Sequence, residues 1–341
     1  MHIVIGIVST LLILMILVLV HEGGHFFAAK AFGVRVNEFA IGMGPLLLQK
    51  KKKDTEFSLR LIPIGGYVAM DEDSHADEDD EAAFNNKPWW ARTIILMAGP
   101  IMNFVLAVIV ITGLMTYAGT SVSNQVENVI SESPAAEAGM LAGDSISAVD
   151  GKTVENDNEA AIYIQDAAKT SDSVAITVDR DGKAHSFDIE FKTADNGSKF
   201  IGIRFENRHN PFVALSRSFK QSIDIEKQIF KVLSDLITGK GSVKDISGPV
   251  GLVTVADQVS RTGIFNMLYF MAFLSLNLGL LNIIPFPALD GGRILFVFIR
   301  AVTGKVITDE IESRFHFAGI IILFMFMILI TFKDIKTLIS G

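Results

Sequence analysis

Four long apolar stretches, free of Asp, Glu, Lys and Arg, organise the sequence. They are Ile3–Val20, Thr93–Tyr117, Ile264–Ile284 and Phe315–Phe332. Each is long enough to cross a bilayer as a helix, and the first is expected to continue as a helix to about residue 30. We therefore predict a polytopic α-helical membrane protein with four transmembrane helices. The N-terminal stretch lacks a basic leader and a small-residue cleavage site, so we expect it to be retained.

A β-hairpin is predicted between the first two helices, over about residues 37–68. Residues 57–61 alternate between apolar and polar, and the basic stretch Lys50–Lys53 is expected to form the tip. Pro63 and the Gly65-Gly66 pair are predicted to end the hairpin. Its apolar faces suggest that it dips toward the membrane, although an ordinary cytosolic hairpin has the same pattern.

Residues 122–206 are polar and rich in short alternating segments, which predicts a small α+β domain inserted between membrane halves. Residues 174–178 and 186–191 read as strands around an Asp181-Gly182 turn. Ser133-Pro134 is a helix-start signal, and Gly139 is a stop. About 85 residues suffice for one small domain.

Residues 207–262 are predicted to be an amphipathic helix and a linker. Apolar residues recur at helical spacing over residues 211–238, whereas 238–251 is glycine-rich and loop-like. The helix either lies on the outer membrane surface or packs on the neighbouring domain. The flanking regions are then an N-terminal membrane half, 1–121, and a C-terminal membrane half, 263–341.

Charge places these regions relative to the membrane. Lys and Arg concentrate between the first and second helices and between the third and fourth, so the positive-inside rule puts both segments in the cytoplasm. The 122–206 domain and both termini are then extracytoplasmic. Eight acids crowd residues 71–81, which we interpret as a solvated loop. The sequence has no basic stripe of the kind that nucleic acid requires.

The main candidate for chemistry is His21-Glu22-Gly23-Gly24-His25, at the end of the first apolar stretch. On a helix, His21 and His25 share one face and can hold one metal ion, while Glu22 can act on a water molecule beside it. The simpler alternative is a helix end where polar side chains meet headgroups. An ionisable residue in a membrane helix costs free energy, which favours a functional role over the helix-end alternative. With no cysteine in 341 residues, further ligands must come from His, Asp, Glu or Asn.

Asp290 is the candidate third ligand. Pro285, Pro287 and the Gly291-Gly292 pair break the chain at membrane depth, where irregular backbone is tolerated only around a buried or water-lined site. The first and third helices run in the same direction, so His21 and Asp290 end at the same face. A turn or cap aspartate is the alternative interpretation.

These motifs together resemble the site-2 protease family of intramembrane zinc metalloproteases, in its RseP/RasP-like bacterial branch. The resemblance rests on the His21–His25 motif, on Asn282 to Gly292 with Leu289-Asp290-Gly291, and on Gly99-Pro100-Ile101-Met102-Asn103. Gly42-Met43-Gly44-Pro45 resembles the family's membrane-associated β-loop. Residues 133–151 resemble part of a PDZ domain. The match runs nearly end to end, with one PDZ-like unit where some relatives carry two.

The resemblance implies that one Zn²⁺ is bound by His21, His25 and Asp290, with Glu22 as catalytic base and Asn282 supporting the oxyanion. Substrates would be membrane-anchored proteins already shortened by an upstream protease, such as anti-sigma factors or signal-peptide remnants, in a bacterial cell membrane. Gly42, Met43 and Gly44 are candidates for substrate binding, and Ile201, Gly202 and Ile203 are candidates for a PDZ carboxylate-binding loop.

Two functions from other classes are alternatives to proteolysis. A catalytically silent membrane PDZ scaffold needs no base, and the intact Glu22 argues against it. A metal-ion transporter predicts polar residues along several helices and an internal repeat, which the second and fourth apolar stretches lack.

Overall fold

The computed structural model describes residues 2–71, 80–194, 197–241, 248–304 and 309–340. The chain divides into two compact units, residues 1–111 with 218–341 (the membrane unit) and residues 112–217 (the PDZ-like unit). Most of the acidic run, residues 72–79, lies outside the described ranges. Its ends are anchored, because Asp71 and Asp80 both accept hydrogen bonds from Arg35, at 2.6 and 3.1 Å.

Four helices of the described chain are long and apolar enough to cross a membrane, which confirms the prediction of four apolar helices. They are α1 (His2–Ala31), α2 (Trp89–Ala118), α7 (Ile264–Ile283) and α9 (Asp309–Ser340). Large apolar side chains point outward from them, such as Ile109 at 62% and Leu329 at 67% exposure. This pattern fits helices surrounded by lipid, where nonpolar surface needs no burial against protein.

Small residues allow the membrane helices to approach closely. A side chain at Gly24 of α1 would overlap the Ala98 carbonyl of α2. A Cβ at Gly279 of α7 would lie 3.0 Å from the Pro100 carbonyl oxygen of α2. Such contacts between backbones are the usual way in which membrane helices pack without a hydrophobic driving force.

The predicted hairpin is present as β1 (Val36–Lys52) and β2 (Thr55–Met70), but it folds back on itself. Residues 36–41 pair with 66–70 on one side and with 56–59 on the other, and 48–52 pair with 55–59. The prediction that Pro63 and Gly65-Gly66 end the hairpin is therefore wrong. Gly65, at φ +81°, turns the strand, and the residues after it return to the sheet as an outer strand.

Two further α-helices of the described residues lie entirely within the membrane unit. The segment predicted as a linker contains α6 (Pro249–Arg261), and α8 (Asp290–Thr303) follows directly after the break that ends α7. The Asp334 carboxylate of α9 accepts hydrogen bonds from the Gly248 and Gly251 N–H groups, at 2.9 and 2.8 Å, and so caps α6. The amphipathic helix predicted over 211–238 is α5 (Pro211–Ile237).

The PDZ-like unit is a small α+β domain around one sheet. Its strands are β3 (Ser121–Val129), β4 (Ser145–Val149), β5 (Lys152–Thr153), β6 (Ser173–Arg180), β7 (Lys183–Glu190) and β10 (Ile203–Arg208). They are ordered β10-β3-β4-β6-β7, with β5 paired to β4. The unit also contains a two-stranded sheet of β8 (Lys192–Thr193) and β9 (Lys199–Phe200). Its helices are α3 (Pro134–Glu137) and α4 (Glu159–Thr170).

The PDZ-like unit has a closed apolar core. Val126, Ile146, Val149, Ile176 and Ile189 are each at most 1% exposed and belong to one cluster. They come from four neighbouring strands, and in β6 buried residues alternate with more exposed ones, as a half-buried sheet requires. The predicted strands at 174–178 and 186–191 and their Asp181-Gly182 turn lie within β6 and β7.

Candidate metal centre

The two histidines lie one turn apart on α1 and face the interior of the membrane unit. His21 is 7% exposed and His25 is 5% exposed, and their Nε2 atoms are 3.3 Å apart. The spacing of four residues places both imidazoles on one face of the helix. Two buried imidazoles whose Nε2 atoms lie this close can supply two of the three protein ligands of a metal site.

Asp290 supplies the third donor from the first residue of α8. Its Oδ2 lies 3.0 Å from His21 Nε2 and 3.3 Å from His25 Nε2. The chain reaches this position through a tight turn after α7. A side chain at Gly291 would overlap the Ile283 and Ile284 carbonyls, so this glycine is required for the turn.

The α9 helix holds the other end of this turn. Ala288 has φ +79°, an uncommon conformation for a residue with a side chain. Its N–H donates a 2.9 Å hydrogen bond to His316 Nδ1 on α9. A side chain at Gly319, one turn further along α9, would overlap the Pro287 carbonyl. The loop that presents Asp290 is therefore clamped between α7 and α9.

The three donors fit a zinc ion. Zinc–ligand distances of about 2.0–2.2 Å in tetrahedral geometry separate neighbouring donor atoms by roughly 3.3 Å. The observed separations among His21 Nε2, His25 Nε2 and Asp290 Oδ2 are 3.0, 3.3 and 3.3 Å. Two imidazoles and one carboxylate with a fourth position left open are also the donor set of catalytic zinc sites.

Each imidazole is oriented by a contact of its Nδ1 atom, the nitrogen that faces away from the three-donor cluster. His25 Nδ1–H donates a 2.8 Å hydrogen bond to the Ile95 carbonyl of α2, which leaves Nε2 with its lone pair toward Asp290. Asn103 of α2 places its Nδ2 3.2 Å from His21 Nδ1. Its own backbone carbonyl accepts a 2.8 Å hydrogen bond from Ser275 of α7. Asn103 is completely buried, so both helices fix its position.

The Asn103 amide also supports the assignment to a metal. Its Oδ1 is buried and has no hydrogen-bond partner among the described residues. A metal on His21 Nε2 requires the proton on Nδ1, and rotation of the amide by 180° would bring Oδ1 there as the acceptor. This rotation would let Asn103 Oδ1 accept a hydrogen bond from His21 Nδ1–H, and it would leave His21 Nε2 available to a metal.

Gly99 of α2 makes room for both imidazoles. A Cβ at this position would overlap His25 Nε2 and would lie 2.9 Å from His21 Cε1. The neighbouring Pro100 is tolerated within the helix and is itself buried. The absence of a side chain at residue 99 is therefore a condition for the two histidines to adopt this arrangement.

Glu22 lies beside the triad, between α1 and the outer strand of the hairpin. The Val68 N–H forms a hydrogen bond with its carboxylate, and His21, His25 and Asp290 are all near enough to interact with its charge. A Cβ at Gly66 would approach the Glu22 Cγ to 3.6 Å and the Val18 Cγ1 to 3.2 Å. The strand that begins at Gly66 thus runs past the carboxylate.

Asn282, the predicted oxyanion ligand, is close to the centre. Its Nδ2 lies 3.4 Å from His21 Nε2. The predicted substrate residues 42–44 lie within β1, away from the hairpin tip, where Gly42 and Gly44 both have φ +82° and Met43 lies beside Gly65. The part of the hairpin that reaches Glu22 is instead Gly66–Val68.

The predicted carboxylate-binding loop lies in the PDZ-like unit. Ile201 is 3% exposed, and its carbonyl accepts a hydrogen bond from the Ala135 N–H at 2.9 Å. The Gly202 carbonyl accepts one from the Ile130 N–H at 2.8 Å, and Ile203 pairs with Val129 in the sheet. Their role in binding a C-terminus stays a prediction.

A polar cluster stiffens the hairpin. Tyr67 Oη and Arg60 Nη2 donate hydrogen bonds of 2.6 and 2.9 Å to the Glu38 carboxylate, and Arg60 Nη1 donates one of 3.0 Å to the Gly44 carbonyl. Partial burial raises the pKa of Glu38, but hydrogen bonds to the ionised form outweigh it and hold the pKa below its usual value. The ionised Glu38 thereby ties both strands together.

Sequence reasoning did not single out Gly99, Asn103 or the Ile95 carbonyl as part of the site. Gly99 and Asn103 were named only as members of a motif that resembles the family, with no role at the site. An amide side chain inside an otherwise apolar helix was the available signal, because polar groups in membrane helices face the protein interior. No sequence signal points to the backbone carbonyl of Ile95.

Comparisons with known proteins place the chain in a peptidase family. The sequence profile of Peptidase family M50 matches residues 9–326. The chain is 34% identical over 334 residues to a Clostridium perfringens protein provisionally named a zinc metalloprotease, covering 96% of this chain and 98% of that protein. It is 29% identical over 418 residues to the regulator of sigma-W protease RasP of Bacillus subtilis, covering 97% and 98%.

A PDZ domain of an SdrC-like protein from Listeria innocua is a similar solved structure. It is 28% identical to this chain, with a TM-score of 0.22, and the match covers 26% of this chain and 99% of that domain.

Proposed function

The chain belongs to peptidase family M50, and we propose that His21, His25 and Asp290 hold its catalytic zinc ion, with Glu22 as the base. It is a multi-pass bacterial membrane protein and an intramembrane zinc metalloprotease. The observation that carries the assignment of ligands is the triangle of donor atoms, with edges of 3.0, 3.3 and 3.3 Å. The scaffold and transporter alternatives are not favoured.

The reaction is hydrolysis of a peptide bond, and the chain supplies its proton transfers. When bound, zinc contributes Lewis acidity that polarises the scissile carbonyl and acidifies a water molecule. Glu22 takes the proton of the attacking water and delivers it to the leaving amine. Asn282 donates its amide N–H to the oxyanion as the carbonyl carbon becomes tetrahedral.

The hairpin positions the substrate. A helical segment resists hydrolysis because its carbonyls are hydrogen-bonded internally, so it must be held in extended form. The outer strand at residues 66–70 supports this role, because it pairs with 36–41 on one side and begins beside Glu22. An extended substrate added to its other edge would lie along the base by β-augmentation. Gly42, Met43 and Gly44 shape the turn that carries this strand.

The substrates are membrane-anchored proteins shortened beforehand by another protease, of the anti-sigma-factor or signal-peptide-remnant type. The name of the Bacillus subtilis relative, regulator of sigma-W protease, supports such a regulatory role. The PDZ-like unit acts before cleavage, either by binding a new C-terminus through Ile201–Ile203 or by excluding bulky domains. The distribution of Lys and Arg supports a catalytic site toward the cytoplasm, with the PDZ-like unit and both termini outside.

Cleavage and metal content together test this assignment. The purified chain in detergent would be given a truncated single-span substrate, beside Glu22→Gln, Asp290→Ala and the control Glu310→Gln, whose side chain is 73% exposed. We expect cleavage by wild type and Glu310→Gln, zinc without cleavage in Glu22→Gln, and reduced zinc in Asp290→Ala. Unchanged cleavage by Glu22→Gln would exclude it as the base, and full zinc in Asp290→Ala would exclude the third ligand.

A further inference from the structure

A third histidine of the membrane unit, His316 of α9, contacts the loop that presents Asp290. Its side chain is 19% exposed, and its Nδ1 accepts a 2.9 Å hydrogen bond from the N–H of Ala288, two residues before Asp290. Among the described residues, the donor atoms close enough to share one metal ion come from His21, His25 and Asp290. His316 is therefore not a ligand of the proposed centre, and it can influence zinc only through the loop.

The hydrogen bond from Ala288 defines what residue 316 has to supply. A backbone N–H can only donate, so Nδ1 of His316 carries the lone pair and the ring proton lies on Nε2. A carbon atom in the place of Nδ1 would leave the Ala288 N–H without this acceptor. The loop thus requires an acceptor at the position of Nδ1, and the rest of the imidazole is not needed for this contact.

The loop depends on such a restraint because Ala288 adopts an uncommon conformation. Its φ of +79° lies in the left-handed region, which a residue with a side chain occupies only where its surroundings hold it there. Within the loop, the Leu289 N–H donates a 3.1 Å hydrogen bond to the Phe286 carbonyl. The bond to His316 adds a restraint from a different helix, at the peptide that lies two residues before Asp290.

The imidazole is itself held by contacts with α8 and α9. Phe296 of α8 lies beside the His316 ring, with 5.9 Å between the two ring centroids. Nε2 of His316 lies 3.7 Å from Glu312 Oε1, one turn earlier on α9. The other oxygen of this carboxylate accepts a 2.6 Å hydrogen bond from Arg300, near the end of α8. These contacts fix the ring in the orientation that directs Nδ1 at the loop.

We propose that His316 is a positioning residue for the metal centre. By accepting the Ala288 N–H, it holds the loop in the conformation that brings Asp290 Oδ2 to 3.0 and 3.3 Å from the two ligand imidazoles. This inference rests on the proposed function, because it takes Asp290 as the third zinc ligand. Loss of the acceptor at residue 316 is then expected to weaken zinc binding, although His316 is not a ligand.

Two substitutions separate the acceptor from the ring. His316→Phe keeps an aromatic ring beside Phe296 and removes Nδ1. His316→Asn removes the ring and keeps an acceptor, because the amide Oδ1 can occupy nearly the position of Nδ1. Both variants lose Nε2 and its approach to Glu312, so the difference between them reports on the bond to Ala288. A role in packing predicts the larger loss in His316→Asn, whereas the proposed role predicts it in His316→Phe.

The measurement is the zinc affinity of the full-length protein in detergent, by competition with a chelator of known affinity. We expect His316→Phe to weaken zinc binding by roughly 10-fold, as is typical when a partner that orients a metal ligand is lost, and His316→Asn to bind nearly as wild type does. Asp290→Ala is measured beside them and should lose more. His185→Phe, at an exposed position of β7, is the control for the substitution itself and should keep the wild-type affinity.

Thermal unfolding of each metal-free variant shows whether it folds. If His316→Phe does not fold, His316→Leu takes its place, because Leu and Asn have the same number and branching of side-chain heavy atoms and differ in the acceptor.

Three results would overturn the proposal. Wild-type affinity in His316→Phe with a loss in Asp290→Ala would show that the loop holds Asp290 without the histidine, and the proposed ligands would stand. A loss in His316→Asn as large as that in His316→Phe, or larger, would assign the effect to the ring and not to the acceptor. Full affinity in Asp290→Ala would remove the third ligand, and with it the role of His316.

Discussion

The two units of this protein place polar and apolar side chains in opposite ways. In the PDZ-like unit the buried positions are mostly aliphatic, as with Ile146 and Ile176, each at most 1% exposed, with a few polar exceptions such as Asp144. In the membrane unit His21, His25 and Asn103 are buried, while aliphatic side chains such as Ile109 face outward. Lipid removes the gain from burying aliphatic surface, so polar contacts and backbone proximity decide the packing instead.

The contrast predicts where each unit is fragile. The PDZ-like unit should respond to lost volume in its core, and the membrane unit should respond to added volume between its helices. Four substitutions test that division.

Gly99→Ala adds one methyl group at the closest approach to the metal centre. Its Cβ would overlap His25 Nε2, so we expect zinc affinity to fall by about 100-fold, together with cleavage of a model substrate. The matched control is Gly113→Ala on the same helix, where a Cβ meets nothing within 4 Å. Zinc content and activity are measured on both variants. Equal losses in Gly99→Ala and Gly113→Ala would mean that a change in helix propensity, and not contact with the histidines, causes the effect.

Asn103→Leu keeps the number and branching of the side-chain heavy atoms and removes the amide. Without a partner for His21 Nδ1, we expect zinc affinity to fall by about 10-fold while the protein remains folded. Competition with a chelator of known affinity would measure this. Asn266→Leu, at an exposed asparagine of α7, is the control. Wild-type affinity in Asn103→Leu would show that the ligands are oriented without the amide.

Ile176→Ala opens the core of the PDZ-like unit. Ile176 is fully buried, so we expect the free energy of unfolding of this unit to fall by about 2–5 kcal/mol. Ile162→Ala on α4, where the side chain is 50% exposed, should change it by no more than about 0.5 kcal/mol. Denaturant titration of the full chain in detergent measures both. Similar effects from the two variants would remove the contrast between the units.

Arg180→Met tests Asp144, a strongly buried carboxylate of the PDZ-like unit. Arg180 donates hydrogen bonds of 2.6 and 2.8 Å to Asp144, which is 1% exposed, and these hold the pKa of Asp144 below its usual value. Because the folded state lowers this pKa, the stabilisation is present above the ordinary carboxylate pKa of about 3.9 and is lost as the pH falls below it.

We therefore expect Arg180→Met to lower the Tm at pH 7 by roughly 5 °C, and the difference from wild type to shrink toward pH 3. Lys169→Met, which removes an ion pair with the exposed Asp166, should have a smaller effect that is nearly independent of pH. A difference between Arg180→Met and wild type that stays constant from pH 7 to pH 3 would contradict the role of the carboxylate.

The same contrast explains what the sequence could and could not predict. Uninterrupted apolar runs predict membrane helices well, because lipid leaves the backbone few alternatives. Strands of the PDZ-like unit follow from period-2 patterns. The approach of His21, His25 and Asp290 follows from a motif and from matched depth in the membrane. Each of these inferences depends either on a local sequence pattern or on the constraint that the membrane imposes on the backbone.

The remaining features depend on contacts between distant segments. The role of Asn103 requires an amide to reach a histidine 82 residues away. Gly65-Gly66 looked like the end of a strand, yet it turns the strand back into its own sheet, and only the pairing with residues 36–41 reveals this. The helix α6 follows a glycine-rich stretch, and its start is capped by Asp334, 86 residues from Gly248.

The distance along the chain between His21 and Asp290 has a consequence for synthesis. These residues are 269 positions apart, and ribosomes add roughly 5–20 residues per second. For about 13–54 s after its histidines emerge, each new chain therefore has Glu22 and the two imidazoles but lacks the Asp290 carboxylate that completes the triangle. If these residues hold the zinc ion as proposed, a nascent chain cannot cut neighbouring membrane proteins until the segment that follows its third apolar helix has been made.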